Sequence, residues 1–218
     1  MSVQENITSG ETVPSSERPL DAVVLLPPVS ERVVLDLCGG TGSWSKYYKQ
    51  AGYDVRLITL PKNDVRLYAP PKNVWGILAA PPCTEFSYAK HFHGKGKYKH
   101  DFLAGLEVVS ACMRIILTAK PRWWALENPN GYLKRWLGDA AYEFEPYFFG
   151  DKYQKRTLLW GDFNLPERTV KRKPKGIIKF SMLKSKDIHP EYYGKLSRTE
   201  RRAITPDGFA KAFYIANP

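Results

Sequence analysis

The chain has 218 residues, 43% of them hydrophobic and 13% aromatic, enough for one substantial core and short of two full-sized domains. Its 33 lysines and arginines against 22 acidic residues leave a formal charge of +11, a surplus that suits a polyanion, most simply nucleic acid. Three cysteines without paired spacing, no charged start leading into an apolar stretch, and short apolar runs argue against a disulfide scaffold, a secretory leader and a membrane span.

Residues 1–20 are rich in Ser, Thr, Glu and Pro and cannot bury enough surface to offset their ordering entropy, which predicts a loose tail. Residues 21–218 read as one domain. "VVLDL" (Val33 to Leu37) is a buried strand, and "GGTGSWSKYYKQAG" a Gly-rich turn running into a helix that ends near Gly52. "DVRLITL" and "VWGILAA" are the next two strands. From Asp101 to Ala119 apolar residues recur at three and four spacing behind an aspartate cap, predicting a helix.

"RWWALEN" reads as a further strand, "GYLKRWLG" as a short helix, "FEPYFFG" and "KRTLLWG" as extended pieces, and "ITPDGFAKAFYIAN" as a last helix. Strands alternating with helices predict an α/β fold with a doubly wound, mostly parallel sheet. Between Arg168 and Arg202 twelve basic residues face three acidic ones, which marks a short basic insert.

The chemistry gathers where strands end. Three glycines, Gly39, Gly40 and Gly42, join the first strand to the first helix, at the corner where doubly wound folds turn tightly and approach a ligand. Asp36 ends that strand, where a buried carboxylate is costly unless it bonds backbone amides or a cation. In "ILAAPPCTEFS" the prolines Pro81 and Pro82 cannot continue a central strand, so Cys83 belongs at the carboxyl edge. "ALENPNG" delivers Glu127 to the same edge. A thiol and a carboxylate brought together there make a nucleophile and a proton donor. His91, His93 and His100 follow Cys83 among lysines, but no carboxylate or cysteine is spaced to complete a metal site, so no metal is expected. Trp123, Trp124, Tyr147, Phe148 and Phe149 are core candidates more than base-stacking ones.

In order, "DLCGGTGSWS", "APPCTEFS", "ALENPNG" and "YQKRT" resemble the cofactor-binding, Pro-Pro-Cys, Glu-Asn and Gln-x-Arg motifs of the cytosine C5-specific DNA methyltransferases, spanning Val34 to Thr157. Compact, phage-encoded members are especially similar. The resemblance implies a Rossmann-like class I methyltransferase fold and S-adenosylmethionine as cofactor, held by Asp36, Gly39, Gly42, Asp64 and Pro81. It implies Cys83 as the nucleophile toward cytosine C6, Glu127 at the N3 edge, and Arg156 holding Glu127 or the base. Ser87, Asn128 and Gln154 are implied on the substrate side, with Lys90, Lys95 and Lys97 contacting phosphates from a loop that closes over a flipped base.

Thr59 and Leu60 stand where the family carries an acid for the ribose hydroxyls, and Leu158 where it carries a second arginine. About 45 residues separate the Gln-x-Arg motif from the last helix, too few for an ordinary target-recognition domain. DNA is the expected partner, in the cytoplasm of a bacterium or a phage-infected host. The alternatives are RNA, a nucleotide or a modified methyl donor in the same chemistry, or an inactive nucleic-acid-binding relative.

Overall fold

The computed structural model describes residues 26–88 and 99–218. The elements, in chain order, are β1 (Val33–Leu37), α1 (Lys46–Gln50), β2 (Asp54–Ile58), β3 (Val74–Ala79), α2 (Phe102–Ala119), β4 (Trp123–Pro129), α3 (Lys134–Leu137), β5 (Tyr142–Phe144), β6 (Tyr153–Gln154), β7 (Thr157–Asp162), β8 (Ile178–Lys179), α4 (Arg198–Ala203) and α5 (Asp207–Ala216).

Six strands form one sheet in the order β2-β1-β3-β4-β7-β5. The four from β2 to β4 are parallel, and β7 runs antiparallel between β4 and β5. Every residue of β1 and β3 is buried, as continuous apolar strands covered on both faces must be. On one face Val109, Cys112 and Ile115 of α2 pack against Leu35, Ile77 and Leu126. On the other, Tyr48 of α1 and Phe209 and Phe213 of α5 pack against Val34, Leu78 and Trp123. Helices on both faces of a largely parallel sheet make this the doubly wound, Rossmann-like α/β fold that the sequence predicts.

The chain leaves β1 toward β2 on one side and crosses to β3 on the other. That reversal opens a crevice outside the carboxyl ends of β1 and β3. Asp101 caps α2 by accepting the Ala104 amide at 3.0 Å, as its sequence suggests. At 18 residues α2 is by length and composition apolar enough to cross a membrane, longer than the apolar runs of the sequence imply; in this fold it lies along the sheet.

"FEPYFFG" is extended only at its first residue, Phe144, which ends β5. Pro146 then opens a 3-10 turn through Phe149, since proline cannot donate to a ladder. The basic insert is ordered into β8, which pairs with β6, and a series of short turns ending in α4. Arg201 holds it: its guanidinium is buried and donates to the carbonyls of Ser185 at 2.5 Å, Ile188 at 2.6 Å and Leu196 at 3.3 Å. Nη2 donates to Ser185 Oγ at 3.1 Å, so every guanidinium nitrogen has an acceptor, which offsets the cost of burying the charge.

Candidate active site at the carboxyl edge of the sheet

Two corners of the sheet meet at the crevice. At the first, Cys38, Gly40 and Gly42 take φ values of 58°, 55° and 72°, and this left-handed path turns the chain sharply from β1 toward α1. The Ser45 hydroxyl donates to Asp36 Oδ2 at 2.5 Å, while Asp36 Oδ1 is buried with no hydrogen-bond partner among the described residues. A Cβ on Gly39 would stand 2.2 Å from that same oxygen, so only glycine leaves the carboxylate room. Burial pushes the Asp36 pKa up to about 6, against the hydrogen bonds from Ser45 that lower it.

Beside this turn lies a cavity of about 230 Å³, walled by Ile58, Leu60, Val65, Pro82 and Val108, with Cys38, Thr59 and Asp64 also at its surface. Asp64 accepts the Arg66 backbone amide at 2.9 Å and its guanidinium through Nε and Nη2, the latter at 2.6 Å. Arg66 therefore holds the Asp64 carboxyl below its usual range. Arg114 of α2 pins this loop by donating to the carbonyls of Val65, Arg66 and Tyr68. Cys38 at the cavity wall and Cys112 of α2 are both free thiols and pack in the same core cluster.

At the second corner the chain leaves β3 through Ala80, Pro81 and Pro82. The Cys83 carbonyl then accepts the amides of Phe86 at 3.0 Å and Ser87 at 2.8 Å, closing a tight turn with the Cys83 thiol half-buried. Phe86 is fully buried and anchors this loop to the core. The end of β4 is tied to the same loop by three contacts. Asn128, buried, donates from Nδ2 to the Pro81 carbonyl at 2.9 Å; Tyr132 donates its amide to the Phe86 carbonyl at 2.7 Å; and Gly131 bridges Ser87. A Cβ on Gly131 would sit 2.2 Å from the Phe86 carbonyl oxygen.

These ties bring Glu127 close enough to Cys83 for its charge to act on the thiol. Burial raises the pKa of both. For Cys83 the nearby Lys155 works against that rise, Glu127 adds to it, and Arg202 again lowers it; for Glu127 the opposing charge is Lys155. Tyr153 also faces Glu127, and its phenol is pushed upward by burial first and then by Asp151 and Glu127.

The other residues expected here divide. Arg156 does not reach toward Glu127: it forms a two-pronged ion pair with Glu143, both contacts at 2.6 Å, and is exposed. Lys155 and Arg156 form the link between β6 and β7, and their side chains go to different partners, Arg156 to Glu143 and Lys155 to the Arg202 carbonyl. Gln154 accepts Lys173 Nζ at 3.0 Å. Lys90, Lys95 and Lys97, with His91 and His93, lie outside the described residues, as do residues 1–20. His100 Nδ1 lies 2.7 Å from the Glu85 carbonyl, which puts a proton on that nitrogen, and the ring stacks on Phe102. Among the described residues no three His, Cys, Asp or Glu side chains are arranged to hold a metal ion.

Trp123 and Phe149 are buried in the core, and Phe148 lies under the Arg168 guanidinium at 3.7 Å. The sequence reading passed over Lys155, Arg202, Tyr153 and Gly131, all close to the thiol loop. Lys155 sits inside the "YQKRT" stretch, in the link between two strands where no periodicity marks its direction; nothing local marks Arg202.

No protein-family profile and no curated protein matches the sequence. Among solved structures, one that matches is a prophage-encoded E. coli protein, itself only provisionally described as a DNA modification methyltransferase. It is 17% identical, with a TM-score of 0.41, over 61% of this chain and 47% of that one. The chain thus spans about half the length of that neighbour.

Proposed function

We propose that the chain is a DNA methyltransferase that moves a methyl group from S-adenosylmethionine to C5 of cytosine through a covalent bond between Cys83 and C6. The observation that carries this reading is the meeting of a thiol and a carboxyl group, Cys83 and Glu127, in the crevice of a doubly wound sheet. Beside them is the Gly-rich turn with its buried Asp36.

Cytosine C5 is a poor nucleophile. Addition of the Cys83 thiolate to C6, with a hydrogen bond from the Glu127 carboxyl at the N3 edge, makes C5 enamine-like. Burial favours the protonated form of Glu127, the form that can donate there. After methylation the C5 proton is lost, the C6–sulfur bond breaks, and Cys83 is regenerated. Such attack requires the base outside the duplex stack. The +11 charge supports a phosphate backbone as partner.

The residues at the first corner fit the cofactor. Asp36 Oδ1, buried with no partner among the described residues, suits an ammonium group. Gly39 keeps that oxygen uncovered. The apolar cavity wall with Asp64 at its surface suits a purine carrying an amino group. When bound, S-adenosylmethionine supplies an electrophilic methyl group on its sulfonium.

The test is transfer from labelled S-adenosylmethionine to DNA, with 5-fluorocytosine as a trap. Wild-type protein is expected to form a stable adduct, and Cys83→Ser to lose it while transfer falls by at least about 10³-fold. A serine variant that still forms the adduct overturns the mechanism. Transfer to RNA or dCTP in preference to DNA overturns the substrate.

A further inference from the structure

The two neighbours Lys155 and Arg156 have opposite surroundings. Arg156 turns outward to Glu143. Lys155 turns inward, and its ammonium is held in two ways: Nζ donates to the Arg202 carbonyl at 3.1 Å and lies 5.6 Å from the centre of the Phe180 ring. Phe180 is buried against Tyr153 at 4.8 Å, and on it also rests the Arg202 guanidinium at 4.6 Å. Phe180 and Arg202 both come from the basic insert. That segment is thus a wall of the thiol site rather than only a charged surface.

An ammonium group carries three donors, and one hydrogen bond to a carbonyl leaves its charge uncompensated. The Arg156 carbonyl accepts the Asn130 amide at 2.9 Å and Thr157 pairs with Pro129, so Lys155 lies beside the end of β4 that carries Glu127, with Cys83 and Glu127 both within reach of its charge. We propose that Lys155 is a positioning residue that stabilises the Cys83 thiolate, its ammonium shared between Cys83 and Glu127 and fixed in place by the Phe180 ring and the Arg202 carbonyl of the basic insert. The inference rests on Cys83 being the nucleophile, and it explains how a thiol that burial makes harder to ionise can act near neutral pH.

The charged groups around the thiol come from three elements: Glu127 on β4, Lys155 ahead of β7, and Arg202 on α4. Glu127 opposes ionisation of the thiol; the two cations favour it. Arg202 is shared less, because burial and the neighbouring Arg198 already work against its charge. Lys155 is the cation common to Cys83 and Glu127.

The test needs neither DNA nor S-adenosylmethionine. The rate of Cys83 alkylation by iodoacetamide is followed against pH by mass spectrometry of the Cys83 peptide, which separates it from Cys38 and Cys112. Lys155→Gln keeps a donor for the Arg202 carbonyl and removes the charge; its midpoint is expected to rise by about one pH unit or more. Lys155→Arg keeps the charge and should keep the midpoint. An unchanged or lowered midpoint in Lys155→Gln, or an equal rise in both variants, overturns the proposal. Unfolding has the opposite sign, because a released Cys83 returns to the lower range of a free thiol. A protein that shows the expected shift yet transfers no methyl group would refute the proposed function while leaving this inference standing.

Discussion

Asp36, buried, and Glu127, half-buried, are both carboxyl groups at the carboxyl edge of one sheet, and the fold surrounds them differently. Asp36 is served by residues within nine positions of it: Ser45 donates to one oxygen, and Gly39 leaves the other uncovered. Glu127 has its compensating charge on Lys155, which is itself held by Phe180 and Arg202, far along the chain. One corner is built by a local turn, the other by long-range packing. Burial raises both carboxyls, Asp36 to about 6, so neither arrangement removes the burial cost. The acid built at long range has a cation brought to it, and the same cation serves the thiol.

The largest effect that separates the two corners is expected at Asp36. The unfolded chain ionises this carboxyl in the ordinary range, while the folded chain keeps its proton until the pH nears 6. Raising the pH between those points favours the unfolded state. The ionised Asp36 therefore costs the ligand-free fold up to about 3 kcal/mol above pH ~6 and nothing below pH ~4. Asp36→Asn removes that dependence. Urea midpoints for both proteins across this range should show wild type losing stability relative to the variant as pH rises. Parallel curves would mean that the carboxylate is compensated by something other than Ser45. S-adenosylmethionine binding, measured by calorimetry, should be lost in the variant.

The same contrast governs what can be read from the sequence. The glycines, Asp36 and the prolines before Cys83 each act on their own backbone, so the turn, the strand ends and the edge position of Cys83 are legible without a structure. The alternation of strands and helices likewise predicts the doubly wound sheet, because burial on both faces demands apolar runs. Lys155 is a different case. Its neighbour Arg156 matches the motif position, and only the contacts of Lys155 with the Arg202 carbonyl and the Phe180 ring, both far along the chain, show that it goes inward. Arg202 and Phe180 could not be read at all, since a basic composition says nothing of the fold that Arg201 imposes on residues 185–196 by capping their carbonyls.

A smaller effect probes the join between the thiol loop and β4. Gly131 meets the Phe86 carbonyl so closely that a methyl group would stand 2.2 Å from its oxygen. Gly131→Ala must push the two loops apart at the Ser87 bridge, at a cost of about 1–3 kcal/mol. Thermal unfolding reads the loss. An alanine variant as stable as wild type would show that Cys83 and Glu127 are not held together by this contact, and the join would then rest on the Asn128 and Tyr132 hydrogen bonds.

The smallest effect is expected at Arg156, and it is the most discriminating. Its ion pair with Glu143 is solvent-exposed on both sides, and such pairs contribute about 0–1 kcal/mol. Arg156→Ala should therefore change stability by less than about 1 kcal/mol. Its guanidinium is paired with Glu143, and the pull it exerts goes there rather than to the thiol, so the pH midpoint of Cys83 alkylation should stay where it is in wild type. Lys155→Gln, one residue away, should move that midpoint upward. If Arg156→Ala instead shifts the midpoint as far as Lys155→Gln does, the inward charge at this site is not specific to Lys155. The role that the motif position implies for Arg156 would then stand over the role that the geometry assigns to its neighbour.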